Sequence, residues 1–192
     1  NVMQIEAGSL LRELHTCAKD PGPRWPGSDE QLCFNFLFSD CPYPPPDSWD
    51  FTFIDLFAGI GSISFEFASR DAAAVYSVEL NARCASFIGE TARKLNLKNL
   101  FVIRANVFSF LRRGSRKYDV IFADPPYDLE GIASIPGLVF DNDLLKGDGW
   151  LIIEHSRATV FEGHPMLVQQ RKYGKVNFSF FRCSLPQDAG EE

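Results

Sequence analysis

Five stretches between residues 51 and 155 are apolar along nearly their whole length: F-T-F-I-D-L (51–56), A-A-V-Y-S-V-E (73–79), L-F-V-I-R (100–104), Y-D-V-I-F-A (118–123) and G-W-L-I-I-E-H (149–155). A strand that is apolar on both faces must be covered on both faces. Such strands separated by helices predict a parallel sheet with helices above and below it. The intervening segments supply the helices. One of about ten residues follows Ser62, with Ile63 and Phe67 one turn apart. Residues 81–95 put Cys84, Phe87, Ile88, Ala92 and Leu95 on one stripe. V-F-S-F-L-R (107–112) is a short helix, and a loop and helix cover roughly 128–146. Two more strand candidates, 166–173 and 175–183, flank Gly174 and pair as a hairpin. The expected fold is therefore α/β and Rossmann-like: a mixed seven-stranded sheet with a C-terminal antiparallel hairpin and helices on both faces.

The chain has 192 residues, enough for one domain with a real core. Residues 51–185 hold the sheet pattern. Residues 1–50 read as an N-terminal appendage, with a helical candidate at Leu10, Leu11 and Leu14 and an apolar stretch at 32–38. It ends in the linker C-P-Y-P-P-P-D (41–47), whose prolines remove backbone donors. Residues 186–192 read as a disordered tail. The net charge is −6, but residues 1–50 carry three Lys+Arg against eight Asp+Glu, and the remainder 16 against 17. The acidity thus belongs to the first segment, and a nucleic-acid partner would be gripped by a local basic patch rather than by the overall field. Five widely spaced cysteines without a C-x-x-C pair point to idle thiols in a reducing cytosol, with no disulfide framework and no metal site. No apolar run approaches the ~20 residues that span a bilayer, and no secretory signal is visible. The expected location is the cytoplasm. The first residue is Asn, which suggests a trimmed chain.

Ligands of open parallel sheets sit beyond the carboxyl ends of the strands. The first strand ends in Asp55 and the turn Gly59-Ile60-Gly61, whose glycines let the backbone approach a ligand. The second ends in Glu79, 18 residues after Gly61, a spacing that suits a carboxylate accepting from both hydroxyls of a ribose. After the third, Asn106 either meets an adenine edge or caps the next helix. The fourth ends in Asp124-Pro125-Pro126-Tyr127. Each has an ordinary reading: a tight turn, a solvated strand end, a cap. Their gathering at one sheet edge, in this order, points to a nucleotide-like ligand with a second site beside it.

D-L-F-A-G-I-G-S (55–62), Glu79, Asn106 and D-P-P-Y (124–127) resemble the motifs of S-adenosylmethionine-dependent methyltransferases that act on amines. Residues 53–183 further resemble the bacterial enzymes that methylate the N2 amine of a guanine in 16S ribosomal RNA, the RsmD family. The pieces that carry this are D-L-F-A-G-I-G-S-I-S-F-E-F-A-S-R, F-A-D-P-P-Y, G-W-L-I-I-E-H and K-Y-G-K-V-N-F-S-F-F. The resemblance implies a class I methyltransferase fold. It also implies S-adenosylmethionine as cofactor, S-adenosylhomocysteine as product, and ribosomal RNA or a small-subunit assembly intermediate as partner, met by a monomer. It assigns cofactor contacts to Asp55, Phe57, Gly59, Gly61, Glu79 and Asn106, although Phe57 serves equally as plain core packing. It assigns the amine clamp to Asp124 and Pro125, stiffened by Pro126 and covered by Tyr127. Arg157, Arg171, Lys172 and Lys175, with His155, are the candidate RNA phosphate contacts on the same rim. Arg112, Arg113, Arg116 and Lys117 precede the fourth strand and read as a solvated face at the opposite edge. His15 and His164 carry no motif.

The family's basic N-terminal segment has no counterpart in residues 1–20, and Asn106 stands where Asp is more usual. Three other functions compete. One keeps the chemistry and changes the acceptor to adenine N6 or cytosine N4. Another is a nicotinamide-dependent oxidoreductase, against which Ser64 stands in place of a third glycine and D-P-P-Y is left without a task. The last is a non-catalytic binding module.

Overall fold

The structure, a computed structural model, describes residues 50–173 and 176–183. The appendage and linker expected over 1–50 (save Asp50), the turn at Gly174 and Lys175, and the tail at 186–192 lie outside the described residues. Seven strands form one sheet: β1 Thr52–Leu56, β2 Ala74–Glu79, β3 Leu100–Arg104, β4 Tyr118–Ala123, β5 Leu145–His155, β6 Leu167–Tyr173 and β7 Val176–Arg182. Their order is β3-β2-β1-β4-β5-β7-β6. The first five run parallel, and β7 lies antiparallel between β5 and β6. Among the described residues four helices accompany the sheet: α1 Ser62–Ser69, α2 Ala82–Lys94, α3 Val107–Arg113 and α4 Ile135–Asp141, the last preceded by a 3-10 turn at Ile132–Ser134. This is the expected mixed sheet with its terminal hairpin.

Local chemistry sets the helix limits. Asn81 caps α2 by accepting from the N–H groups of Arg83 and Cys84, and Arg93 and Lys94 occupy the last turn, where cations favour the dipole. The face of α2 toward the sheet buries Ala85, Ile88, Thr91 and Ala92. Cys84, Phe87 and Leu95 flank that stripe, half-buried. On the α1 face, Phe67 stacks on Phe53 with 3.8 Å between ring centroids and meets Phe51 edge-on at 5.7 Å. On the opposite face Leu56, Leu111, Ile121, Val139, Ile153 and Phe181 belong to one buried cluster.

One strand begins earlier than expected. β5 starts at Leu145, because Leu145 pairs with Tyr118 before a register shift that resumes at Val120 and Trp150. Asp119 holds this amino edge together. Its Oδ2 accepts from the Thr52 N–H (2.7 Å), the Thr52 hydroxyl (2.8 Å) and Lys146 Nζ (2.6 Å), tying β1, β4 and β5. Burial pushes the Asp119 carboxyl up, but the bonds from Lys146 and Thr52 outweigh it, and the net shift is below the usual carboxylate range.

Gly149 sits at the shift. A Cβ there would lie 2.9 Å from the Asp119 carbonyl oxygen and 3.0 Å from that of Tyr118. Both are backbone atoms of a central strand and cannot step aside. Gly149→Ala is therefore expected to cost about 1–3 kcal/mol of stability, read from the midpoint of urea unfolding.

Candidate active site

The carboxyl ends of β1, β2, β4 and β5 converge on one edge. After β1 the chain turns through left-handed conformations at Phe57 (φ 64°), Gly59 (φ 55°) and Gly61 (φ 85°). The two glycines do different work. A Cβ on Gly61 would meet Ile88 Cγ1 at 2.9 Å, so Gly61 lets α1 pack against α2. A Cβ on Gly59 would meet only the Phe57 carbonyl oxygen, at 4.0 Å, so the space beside Gly59 is open. Phe57 holds a backbone conformation that disfavours its side chain, with its ring edge-on to Phe108 at 6.2 Å.

Glu79 fixes this loop. Its Oε2 accepts from the Gly59 N–H at 2.8 Å and its Oε1 from the Asn81 N–H at 2.7 Å. A carboxylate has about four lone-pair sites, so both oxygens retain capacity for a ligand. Leu80, the next residue, is 60% exposed at the same rim. Below the loop Asp55 is buried. It accepts from the Ser64 hydroxyl at 2.6 Å, which in turn accepts from the Ser77 hydroxyl at 2.7 Å. Ser64 therefore uses its side chain at the position where a dinucleotide fingerprint places a bare glycine. Burial pushes Asp55 up to about 7, the Ser64 bond acts against it, and the nearby charges of Asp124 and Glu79 add to it. Asn106 is the cap: its Oδ1 accepts from the Ser109 N–H at 3.1 Å.

Asp124 follows β4, and its N–H reaches back to the Leu56 carbonyl at 3.3 Å, which sets it beside the end of β1. Burial raises its carboxyl above the usual range. Pro125 is buried and Pro126 exposed, with the Pro126 carbonyl accepting from the Leu129 N–H in a turn. The Tyr127 hydroxyl donates to Glu154 Oε1 at 2.9 Å. Glu154, on β5, is 3% exposed. Burial, then the charge of Asp124, raises its carboxyl, with the Tyr127 bond acting the other way. Sequence reasoning missed Glu154, although L-I-I-E-H carries the signal used for Asp124: an acid that ends an apolar strand.

The rim beyond β5 is partly as expected. Because β7 is antiparallel, β6 runs parallel to β5, so the β6–β7 connection lies on this edge. Arg157, Arg171 and Lys172, with Asn177, line a groove of about 270 Å³. The Arg171 guanidinium lies over the Phe180 ring at 4.8 Å. Lys175 lies outside the described residues. His155 is not a phosphate contact: its ring is buried between Ser156 and Ser179. The Ser156 carbonyl can only accept, so Nδ1 carries the proton and Nε2 accepts from the Ser179 hydroxyl at 2.7 Å. Burial holds His155 below its ordinary value, hence neutral. At the opposite edge, Lys117 pairs with Asp143 and Arg116 lies over the Tyr76 ring.

The model of a family described as conserved hypothetical protein 95 matches residues 30–182. The chain belongs to this family. It is the RsmD family that the motifs resemble, and the class I methyltransferase fold is its fold. Ribosomal RNA small subunit methyltransferase D of Buchnera aphidicola subsp. Acyrthosiphon pisum is 30% identical over 134 residues, 68% of this chain and 70% of that protein. Among solved structures, yhhF of Escherichia coli, named there as a candidate methyltransferase, superposes with a TM-score of 0.69 at 22% identity, covering 85% of this chain and 92% of that one. Coclaurine N-methyltransferase, bound to N-methylheliamine and SAH, superposes with a TM-score of 0.55 at 18% identity, covering 72% and 39%. These two likenesses are of fold alone. Within the RsmD fold, the glycine loop, Glu79 and D-P-P-Y of this chain share one edge.

The raised Asp55 carboxyl has a consequence for stability. Its folded value lies above its unfolded one, so its contribution is present at low pH and lost as the pH rises from about 4 through about 7. In urea unfolding of the ligand-free protein across that window, Asp55→Asn should lose less stability than the wild type. The difference expected at pH 8 is on the order of 2–4 kcal/mol in favour of the variant.

Proposed function

We propose that the protein transfers a methyl group from S-adenosylmethionine to the N2 amine of a guanine in 16S ribosomal RNA. The observation that carries this reading is the placement of Asp124 and the rigid Pro125-Pro126 beside an open glycine loop held by Glu79. Membership of the RsmD family and the name of the Buchnera relative support the substrate class.

The donor set fits the cofactor. Asp55, Glu79, Asp124 and Glu154 gather at this edge, and none takes part in an ion pair among the described residues. Such a site favours a ligand carrying positive charge and disfavours a pyrophosphate, which argues against the nicotinamide reading. Glu79 would accept from the ribose hydroxyls. The amide of Asn106, whose oxygen caps α3, would offer its N–H groups to the adenine. Gly59 gives close approach, Gly61 keeps α1 in place, and Phe57 and Asp55 shape the loop from its flank and its floor. S-adenosylmethionine supplies a methyl group on a sulfonium that departs as a neutral thioether.

The protein's own part is positional and electrostatic. The Asp124 carboxylate and the Pro125 carbonyl accept hydrogen bonds from the amine, hold its lone pair in line and draw it out of conjugation with the ring. In the transfer a C–N bond would form as the C–S bond breaks, with the C–S electrons leaving on sulfur and the proton lost from the amine passing to water. Tyr127 covers a base taken out of its helix or loop. Arg157, Arg171, Lys172 and Lys175 hold the RNA backbone along the rim, and residues 51–185 act as the catalytic domain of a cytoplasmic monomer.

Incubation of the protein with S-adenosylmethionine and small-subunit RNA, followed by nucleoside mass spectrometry, should yield N2-methylguanosine. N6-methyladenosine alone would move the acceptor to adenine. Asp124→Ala should lower kcat by at least about 100-fold. Calorimetry should give binding of S-adenosylhomocysteine and not of NAD; the reverse result would end the methyltransferase reading. In Arg157→Gln/Lys172→Gln the salt dependence of RNA binding should lose about two units of slope, with the single-turnover rate at saturating RNA unchanged.

A further inference from the structure

We propose that Glu154 is a positioning residue for this transfer: its carboxylate holds the Tyr127 hydroxyl and so fixes the ring that covers the incoming base. The inference rests on the function proposed above. Ala123 and Ile153 are register partners, which places Asp124 and Glu154 side by side at the ends of β4 and β5. Glu154 is 3% exposed and takes part in none of the ion pairs among the described residues. A buried carboxyl group needs a hydrogen-bond partner to offset its loss of water. The hydrogen bond that its side chain makes among the described residues is the one from Tyr127, at 2.9 Å.

The bond acts at the right point. Two prolines fix the backbone leading into Tyr127, and the Leu129 N–H closes a turn on the Pro126 carbonyl. That leaves the two side-chain torsions of Tyr127, which Glu154 removes by holding the ring at its far end. The ring is thus fixed at both ends next to Asp124. A base that stacks on it arrives with its amine already directed at the clamp, and no ordering of the ring is left for the moment of reaction.

Single-turnover methyl transfer to small-subunit RNA, with the full chain, tests this. Tyr127→Phe and Glu154→Ala should each lower the rate about 10- to 100-fold, with the KM for S-adenosylmethionine within about twofold of wild type. The double variant should be no slower than the slower single one, because both remove the same bond. Glu154→Gln, whose carbonyl still accepts from Tyr127, should stay within about threefold of wild type. Losses that multiply, a Tyr127→Phe enzyme at the wild-type rate, or Glu154→Gln as slow as Glu154→Ala would overturn the proposal. Tyr127→Phe introduces no cavity and removes no charge, so it decides the matter even if Glu154→Ala does not fold. A readout independent of turnover is fluorine NMR of the protein labelled with 3-fluorotyrosine, with the Tyr127 signal assigned through Tyr127→Phe. That signal should shift in Glu154→Ala and hold in Glu154→Gln. A wild-type protein that methylates no nucleic acid would refute the function, whereas an unshifted signal in Glu154→Ala would refute the anchor.

Discussion

The central strands of this sheet are buried on both faces, and that constraint governs where chemistry can occur. β4 is buried at every residue, and β1 at all but its first. Polar groups therefore leave the sheet at its ends. At the amino end they are spent on structure, with Asp119 joining three strands through Thr52 and Lys146. At the carboxyl end Asp55, Glu79, Asp124 and Glu154 gather with no ion pair to any of them among the described residues. One sheet thus has a satisfied edge and a costly one, and the costly edge is where function is expected.

Much of this was legible in the sequence. The apolar runs located β1 to β4, and the hairpin pattern around Gly174 located β6 and β7, each to within about one residue; burial of the central strands on both faces leaves a signal that needs no partner to interpret. β5 was placed but its start was missed, since Lys146, Gly147 and Asp148 interrupt the apolar run after Leu145, and pairing with Tyr118 and the Lys146–Asp119 bond extend the strand there. Local chemistry was readable too: Asn106 caps α3, one of the two roles its position offered, and Gly59 and Gly61 take positive φ.

What depends on geometry between strands was not readable. Nothing in the sequence separates the role of Gly61, pressed against Ile88, from that of Gly59, beside open space. His155 read as a rim cation because a histidine after a strand is usually exposed, yet Ser179 arrives from β7 to bury it. Glu154 shows the same strand-end acid as Asp124, but its bond from Tyr127, 27 residues away in the loop after β4, leaves no mark in the sequence.

The strand order carries a consequence for how the protein is made. Among the described residues, β6 joins the sheet only through β7, which comes after it in the chain. Until Val176–Arg182 has left the ribosome, β5 remains an open apolar edge and β6 lacks the strand it pairs with. An incomplete chain ending before Val176 thus lacks two strands rather than one, and it exposes the type of edge on which nascent chains associate with each other.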